Sequence, residues 1–135
     1  HKKLIDYGCG SGILALAALK LGAEHVHAVD IDEQALLATQ NNAIDNKIQP
    51  TQLTVSMPEA LTKPVDIVIA NILLAPLLEL QHRFLALLKD KGTLVVSGIL
   101  AEQAPGLIDA YREHFIHRNT RIDQDWALIE FEGRT

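Results

Sequence analysis

The sequence has one cysteine in 135 residues, Cys9, so no internal disulfide forms and a reducing compartment fits. No apolar run approaches the roughly 18 residues of a membrane-spanning helix, and a secretory leader is not expected. Excess positive charge is missing too. Seventeen acidic against 12 basic residues give a net charge of -5, which leaves no broad positive field for a phosphate backbone, so direct nucleic-acid binding is not expected. Metal-ligand clusters are also lacking: His25 and His27 alternate on one strand face, His114 and His117 lie a helical turn apart, and neither pair has a third ligand beside it. No repeat or low-complexity segment occurs. With 48% hydrophobic residues the chain can bury roughly two thirds of its unfolded surface. The expectation is one compact cytoplasmic domain with no metal and no membrane partner. Because the chain opens almost directly in a strand without a Met, a preceding segment is also expected.

The densest signal is Leu4-Ile5-Asp6-Tyr7-Gly8-Cys9-Gly10-Ser11-Gly12, an apolar strand entering three alternating glycines, with the helical run from Ile13 to Leu21 behind them. Glycine reaches positive φ freely and lets a ligand touch the backbone, so such a turn reads as a cradle for a small cofactor. A dinucleotide fingerprint, G-x-G-x-x-G, places a third glycine where helix and strand pack closely; position 13 is Ile here. The next strand-like stretch, His25-Val26-His27-Ala28-Val29, ends at Asp30. An acid about 20 residues after such a loop is placed to bind a ribose hydroxyl pair. A ribose-bearing ligand is therefore expected, and a pyrophosphate is not required.

Strand-like and helix-like segments alternate along the chain, the signature of a parallel α/β sheet covered on both faces. Strands are expected near 3–7, 25–30, 51–56, 65–70 and 93–98, and helices near 12–21, 33–46, 75–89 and 101–114. Asp32 is the expected cap of the second helix, and Gly92 the stop after the third. Phe115 to Ile122 and Trp126 to Glu132, joined by Asp123-Gln124-Asp125, read as an antiparallel hairpin at the sheet edge. Pro58 and Pro64 mark a loop rather than a domain boundary. Met57, Trp126 and the stripe Leu77, Leu78, Leu80, Leu85 and Leu88 read as packing residues. Gly8, Asp30 and Asn71 fall at the carboxyl ends of the first, second and fourth strands, where open α/β sheets bind ligands.

The pattern Asp6-x-Gly8-x-Gly10-x-Gly12 followed by Val29-Asp30 resembles the S-adenosylmethionine-dependent methyltransferases. Val65-Asp66-Ile67-Val68-Ile69-Ala70-Asn71-Ile72-Leu73 resembles the strand-plus-Asn segment of the amine methyltransferases. With Asp30-Ile31-Asp32 and Ser97-Gly98-Ile99-Leu100-Ala101, the chain is similar to the PrmA family of bacterial enzymes that methylate a large-subunit ribosomal protein. The resemblance implies a Rossmann-like class I methyltransferase fold spanning residues 1–135, with a mostly parallel seven-stranded sheet in the order 3-2-1-4-5-7-6 and a small substrate-recognition domain upstream. It implies S-adenosyl-L-methionine as cofactor, and lysine ε-amines and an α-amino group of ribosomal protein L11 as acceptors. Enzymes that methylate adenine or glutamine amides carry Asn-Pro-Pro-aromatic at this place. Here Asn71 is followed by Ile72, Leu73 and Leu74, which suits a flexible aliphatic amine better than a planar acceptor.

On this reading Gly8, Gly10 and Gly12 shape the cofactor cradle, Asp30 holds the ribose, and Asn71 with the Ile72 carbonyl aims the acceptor amine. Each role has a plainer competitor. The glycines alone could make a tight turn, and Asp30 or Asn71 could be turn or cap residues. Asp6 either orients the cofactor's ammonium group or caps the loop. Cys9 has no evident base and reads as a small residue that fits. Two other readings stay open: a methyltransferase acting on another protein or a small-molecule amine, and a module that binds S-adenosylmethionine or a dinucleotide without catalysis.

Overall fold

The computed structural model describes residues 2–134. Seven strands run in the order β1 (Lys3–Tyr7), β2 (His25–Val29), β3 (Leu53–Ser56), β4 (Val65–Asn71), β5 (Leu88–Leu100), β6 (Phe115–Asp123) and β7 (Trp126–Gly133). Between them lie α1 (Ile13–Lys20), α2 (Glu33–Asp45), α3 (Leu74–Glu79), α4 (Gln81–Ala86) and α5 (Ala104–Tyr111), with 3-10 turns at Pro58–Ala60 and Ala101–Gln103. The strands form a seven-stranded sheet in the order β3-β2-β1-β4-β5-β7-β6, as the resemblance implies. The pairs β1 with β2, β2 with β3, and β4 with β5 are parallel, while β7 runs antiparallel to both β5 and β6. Two compact units divide the chain, residues 1–63 and 64–135.

In the first unit, Ile5, Val26, Ala28 and Val29 are buried, as are Ala15, Leu16 and Leu19 of α1. Parallel strands covered on both faces read as near-continuous apolar runs for this reason. Asp32 caps α2 as expected, its side chain accepting the Gln34 amide at 2.9 Å. His25 and His27 tie β2 to β3 through Thr54 (2.9 Å) and Ser56 (2.7 Å), and burial lowers the pKa of both imidazoles. β3 starts at Leu53 rather than 51 because Gln52 donates its amide to the Gln49 carbonyl, closing a turn over Pro50.

The second unit corrects several expectations. One helix over 75–89 is in fact two, α3 and α4, which share Leu80 as a common end. An unbroken ladder would bond the Gln81 amide to the Leu77 carbonyl, but that oxygen accepts from the buried Tyr111 hydroxyl and, at 3.3 Å, from the Leu80 amide. α4 ends at Ala86 and Leu88 already begins β5, so Gly92 is not a helix stop. It sits inside β5 after Lys91 (φ 58), at an irregularity where the β4 register jumps from Val65↔Leu88 to Ile67↔Thr93. A Cβ at Gly92 would lie 3.0 Å from the Lys89 carbonyl and 3.1 Å from that of Asp66, so the backbone would have to give by a few tenths of an ångström to admit one.

The helix expected over 101–114 is a 3-10 turn followed by α5, which stops at Tyr111. His117 therefore lies on β6, bonded to Thr120 at 2.6 Å, and not one helical turn from His114. The hairpin has a two-residue turn, Gln124-Asp125, with Gln124 at φ 55. Val68, Ala70, Leu94, Val96, Ile129 and Phe131 are buried with Phe84, Leu107, Tyr111 and Phe115. The Tyr111 and Phe131 rings stack at 5.2 Å, and burial of each such side chain contributes roughly 1.5–3 kcal/mol. Met57 (38% exposed), Leu78 (44%) and Trp126 (54%) are not core residues, contrary to expectation. Among the described residues no helix is long and apolar enough to cross a membrane, and no group of three or more His, Cys, Asp or Glu side chains is placed to hold a metal.

Candidate functional site

In the first unit, β1 delivers the chain into the glycine loop, and Gly8, Gly10 and Gly12 all take left-handed backbone, at φ 84, 56 and 88. The Gly8 and Cys9 amides both reach the Val29 carbonyl at 2.9 Å, which fixes the loop against the carboxyl end of β2. The last two glycines of the loop differ in purpose. A Cβ at Gly10 would meet nothing within 4 Å, so open space fronts the backbone there. A Cβ at Gly12 would strike the Thr39 methyl at 2.8 Å, so this glycine is bare to admit α2.

Thr39 is a residue that sequence reading missed. Fully buried on α2, it donates its hydroxyl to the Gly10 carbonyl at 3.0 Å and contacts the Cys9 sulfur at 3.4 Å. Asn42, one turn later on the same helix, donates its side-chain amide to the Ser11 carbonyl at 2.8 Å. Spacing on α2 does not single them out, because Gln40 and Asn41 between them are polar as well. Thr39→Val preserves shape but deletes the hydroxyl, leaving the Gly10 carbonyl without that donor. It is expected to cost about 1–2 kcal/mol in a urea titration. Unchanged stability would mean the loop is not held from α2.

Asp30 follows β2 directly and lies half-buried beside the loop. One carboxylate oxygen accepts the Gly10 amide and the other the Asp32 amide, each at 3.0 Å. A carboxylate offers about four lone-pair sites, so Asp30 braces the loop and still has acceptor capacity for hydroxyl groups. Asp6 is different. It is 1% exposed, and neither oxygen has a hydrogen-bond partner among the described residues. Burial raises its pKa to about 6, and the Asp30 charge adds to the rise. The Ala15 amide, in the uncapped first turn of α1, draws it back only in part and stands outside bonding geometry. Asp6 therefore does not cap the loop. Burial also raises the Cys9 thiol's pKa, which keeps it protonated and unreactive.

In the second unit, Asn71 is the last residue of β4, exposed at the strand's carboxyl end, and Ile72 and Leu73 lead into α3. Asn71 pairs in register with Ser97 of β5, whose hydroxyl donates to the Asn71 side-chain oxygen at 3.4 Å. Structure thus gathers Asp6, Gly8, Gly10, Gly12 and Asp30 in the first unit, and sets Asn71 and Ile72 beside Ser97 and Gly98 in the second.

Comparison with known proteins gives a consistent picture. The family described as "Ribosomal protein L11 methyltransferase (PrmA)" matches residues 1–134. A ribosomal protein L11 methyltransferase of Legionella pneumophila (strain Corby) is 60% identical over 134 residues, covering 99% of this chain and 46% of the relative. One from Alteromonas mediterranea is 51% identical over 134 residues, with 98% and 46% covered. The chain thus spans about half the length of the curated relatives it matches. Among solved structures, a ribosomal protein L11 methylase from Lactobacillus delbrueckii subsp. bulgaricus superposes with a TM-score of 0.92 at 30% identity, covering 99% of this chain and 70% of that one. A tRNA m1G37 methyltransferase from M.jannaschii has a TM-score of 0.86 at 14% identity, covering 100% and 45%, a likeness of fold alone.

Proposed function

The chain belongs to the ribosomal protein L11 methyltransferase (PrmA) family, and from that premise we propose that it is the methyl-transferring part of an S-adenosylmethionine-dependent protein amine N-methyltransferase. Its acceptors on this reading are lysine ε-amines and an N-terminal α-amine of ribosomal protein L11, and its workplace is the cytoplasm. The observation that carries the reading is the glycine loop bound to Asp30. Open space at Gly10 and unspent acceptor sites on Asp30 fit a ribose-bearing ligand, and the unpartnered Asp6 suits a cationic one.

S-adenosylmethionine, when bound, supplies an electrophilic methyl group on a positively charged sulfur. What this chain's residues must do is present an amine with a free lone pair. A lysine amine is mostly protonated at neutral pH, and removing the proton costs roughly 4–5 kcal/mol. Desolvation and a nearby positive charge both lower that cost. The Asn71 side-chain oxygen and the Ile72 carbonyl accept the amine's N–H bonds and turn its lone pair toward the reacting carbon. A neutral acceptor suits the task, because an ionised carboxylate would favour the ammonium form. Alignment then supplies most of the acceleration.

Calorimetric titration of the full-length protein tests the cofactor. S-adenosylmethionine and S-adenosylhomocysteine are expected to bind and NAD is not; binding of NAD alone would overturn the reading. Asp30→Ala should weaken S-adenosylmethionine binding about tenfold or more, because it removes hydroxyl acceptors and the brace on Gly10 together. An assay against L11 and a panel of small amines identifies the acceptor.

A further inference from the structure

β5 is irregular where it passes Asn71. Its pairing with β7 shifts register between Val96↔Ile129 and Ile99↔Ala127, so Ser97 and Gly98 form a bulge, and Gly98 takes left-handed backbone at φ 84. Bulges re-aim side chains beside functional sites. Here the bare glycine faces Asn71: a Cβ at 98 would fall 2.4 Å from the Asn71 side-chain oxygen, well inside contact distance, and 3.8 Å from the Ile72 carbonyl oxygen. The carboxamide thus occupies the space a side chain would need. From the same bulge the Ser97 hydroxyl reaches the same oxygen at 3.4 Å, a long bond, while the bare position at Gly98 leaves the room that the carboxamide takes up.

We propose that the Ser97-Gly98 bulge is the seat that orients the Asn71 carboxamide, making Ser97 and Gly98 positioning residues for amine methylation. The proposal rests on the role given to Asn71 above. An amide oxygen has two lone pairs; Ser97 approaches one at 3.4 Å, which biases the amide's orientation and leaves the other for an acceptor N–H. Gly98 also borders the Ile72 carbonyl, so one bare backbone position adjoins both groups assigned to aim the amine.

The test uses the full-length protein with its asparagines labelled with 15N. Ser97→Ala is expected to move the Asn71 side-chain NH2 resonances, and Ser97→Thr, which keeps the hydroxyl and suits a strand, is expected to restore them. Ser97→Ala should lower kcat about fivefold with S-adenosylmethionine affinity unchanged within about twofold, and Gly98→Ala should lower kcat further. In an Asn71→Ala background, Ser97→Ala should change kcat by less than about 1.5-fold. Asn71 resonances unmoved by Ser97→Ala, or a fivefold loss that persists without Asn71, would overturn the seat. If Gly98→Ala does not fold, the Ser97 pair still decides. Wild-type turnover by Asn71→Ala alone would instead refute the role of Asn71, and the resonances would still judge the seat.

Discussion

Asn71→Ala is expected to lower turnover by between about tenfold and a hundredfold while S-adenosylmethionine affinity stays within about twofold. The magnitude corresponds to roughly 1.4–2.7 kcal/mol of lost transition-state stabilisation. That is the range for deleting one oriented hydrogen bond at a reacting centre. The split between turnover and cofactor affinity follows from position, because the groups that fit the cofactor lie in the glycine loop and at Asp30, whereas Asn71 ends β4. Asn71→Asp sharpens the test. The substitution keeps an acceptor of the same size but adds negative charge, which raises the pKa of a nearby amine. Its turnover should be low at neutral pH and recover only at a higher pH than that of Asn71→Ala, whose acceptor amine lacks the extra charge beside it. Steady-state rates from about pH 7 to 10 distinguish the two. Equal turnover in wild type and Asn71→Ala would remove the assigned mechanism.

Elements with strong local signals were legible from the chain alone. β1, α1, β2 and α2 were expected within a residue or two because each is bounded by unmistakable punctuation: the glycine loop, Asp30 after an apolar strand, and the Asp32 cap. Strand order came from family resemblance and not from periodicity. The region from 75 to 100 was misread because its determinants are tertiary. Leucines spaced for one helix continue past Leu80, but where the ladder breaks the Leu77 carbonyl accepts from Tyr111, 34 residues away. Likewise, Gly92 carries the signal of a helix stop, yet its bareness answers close approach by the Asp66 and Lys89 carbonyls inside a strand.

The candidate site divides in the same way. Gly8, Gly10 and Asp30 could be found by spacing, since a loop and an acid about 20 residues apart form a known pattern. Thr39, Ser97 and Gly98 could not, because what distinguishes them is the neighbour each meets. Thr39 meets Gly12 across 27 positions and Gly98 meets Asn71 across another 27, distances at which sequence carries no contact signal of its own. Gly12 shows why the distinction matters. Its spacing groups it with Gly10, but its missing side chain makes room for a helix, whereas that of Gly10 leaves room in front of the backbone.

Asp6→Asn is expected to stabilise the protein by roughly 2–3 kcal/mol at pH 8 and to make almost no difference near pH 4. The sign follows from the raised pKa. Asp6 titrates at about 6 in the fold against an ordinary 3.8, so between those values the native state holds a proton that the unfolded chain has lost. Stability from this group therefore falls as pH rises from about 4 to 6, by roughly 1.4 kcal/mol for each pH unit crossed, and stays low above that window. His25 and His27, whose pKa values are lowered by burial, act in the opposite direction, losing stability as pH falls; they are common to both proteins and cancel in the comparison. Urea titrations of the two proteins at pH 4, 6 and 8 measure the difference. A buried, unpartnered charge is expensive to hold, and a bound cation is what would offset it. Saturating S-adenosylmethionine, with its sulfonium and ammonium charges, should therefore shrink or reverse the advantage of Asp6→Asn at pH 8, because only the carboxylate gains an attraction to the ligand. An advantage that is the same with and without the cofactor would leave Asp6 as a cost of the fold with no part in binding.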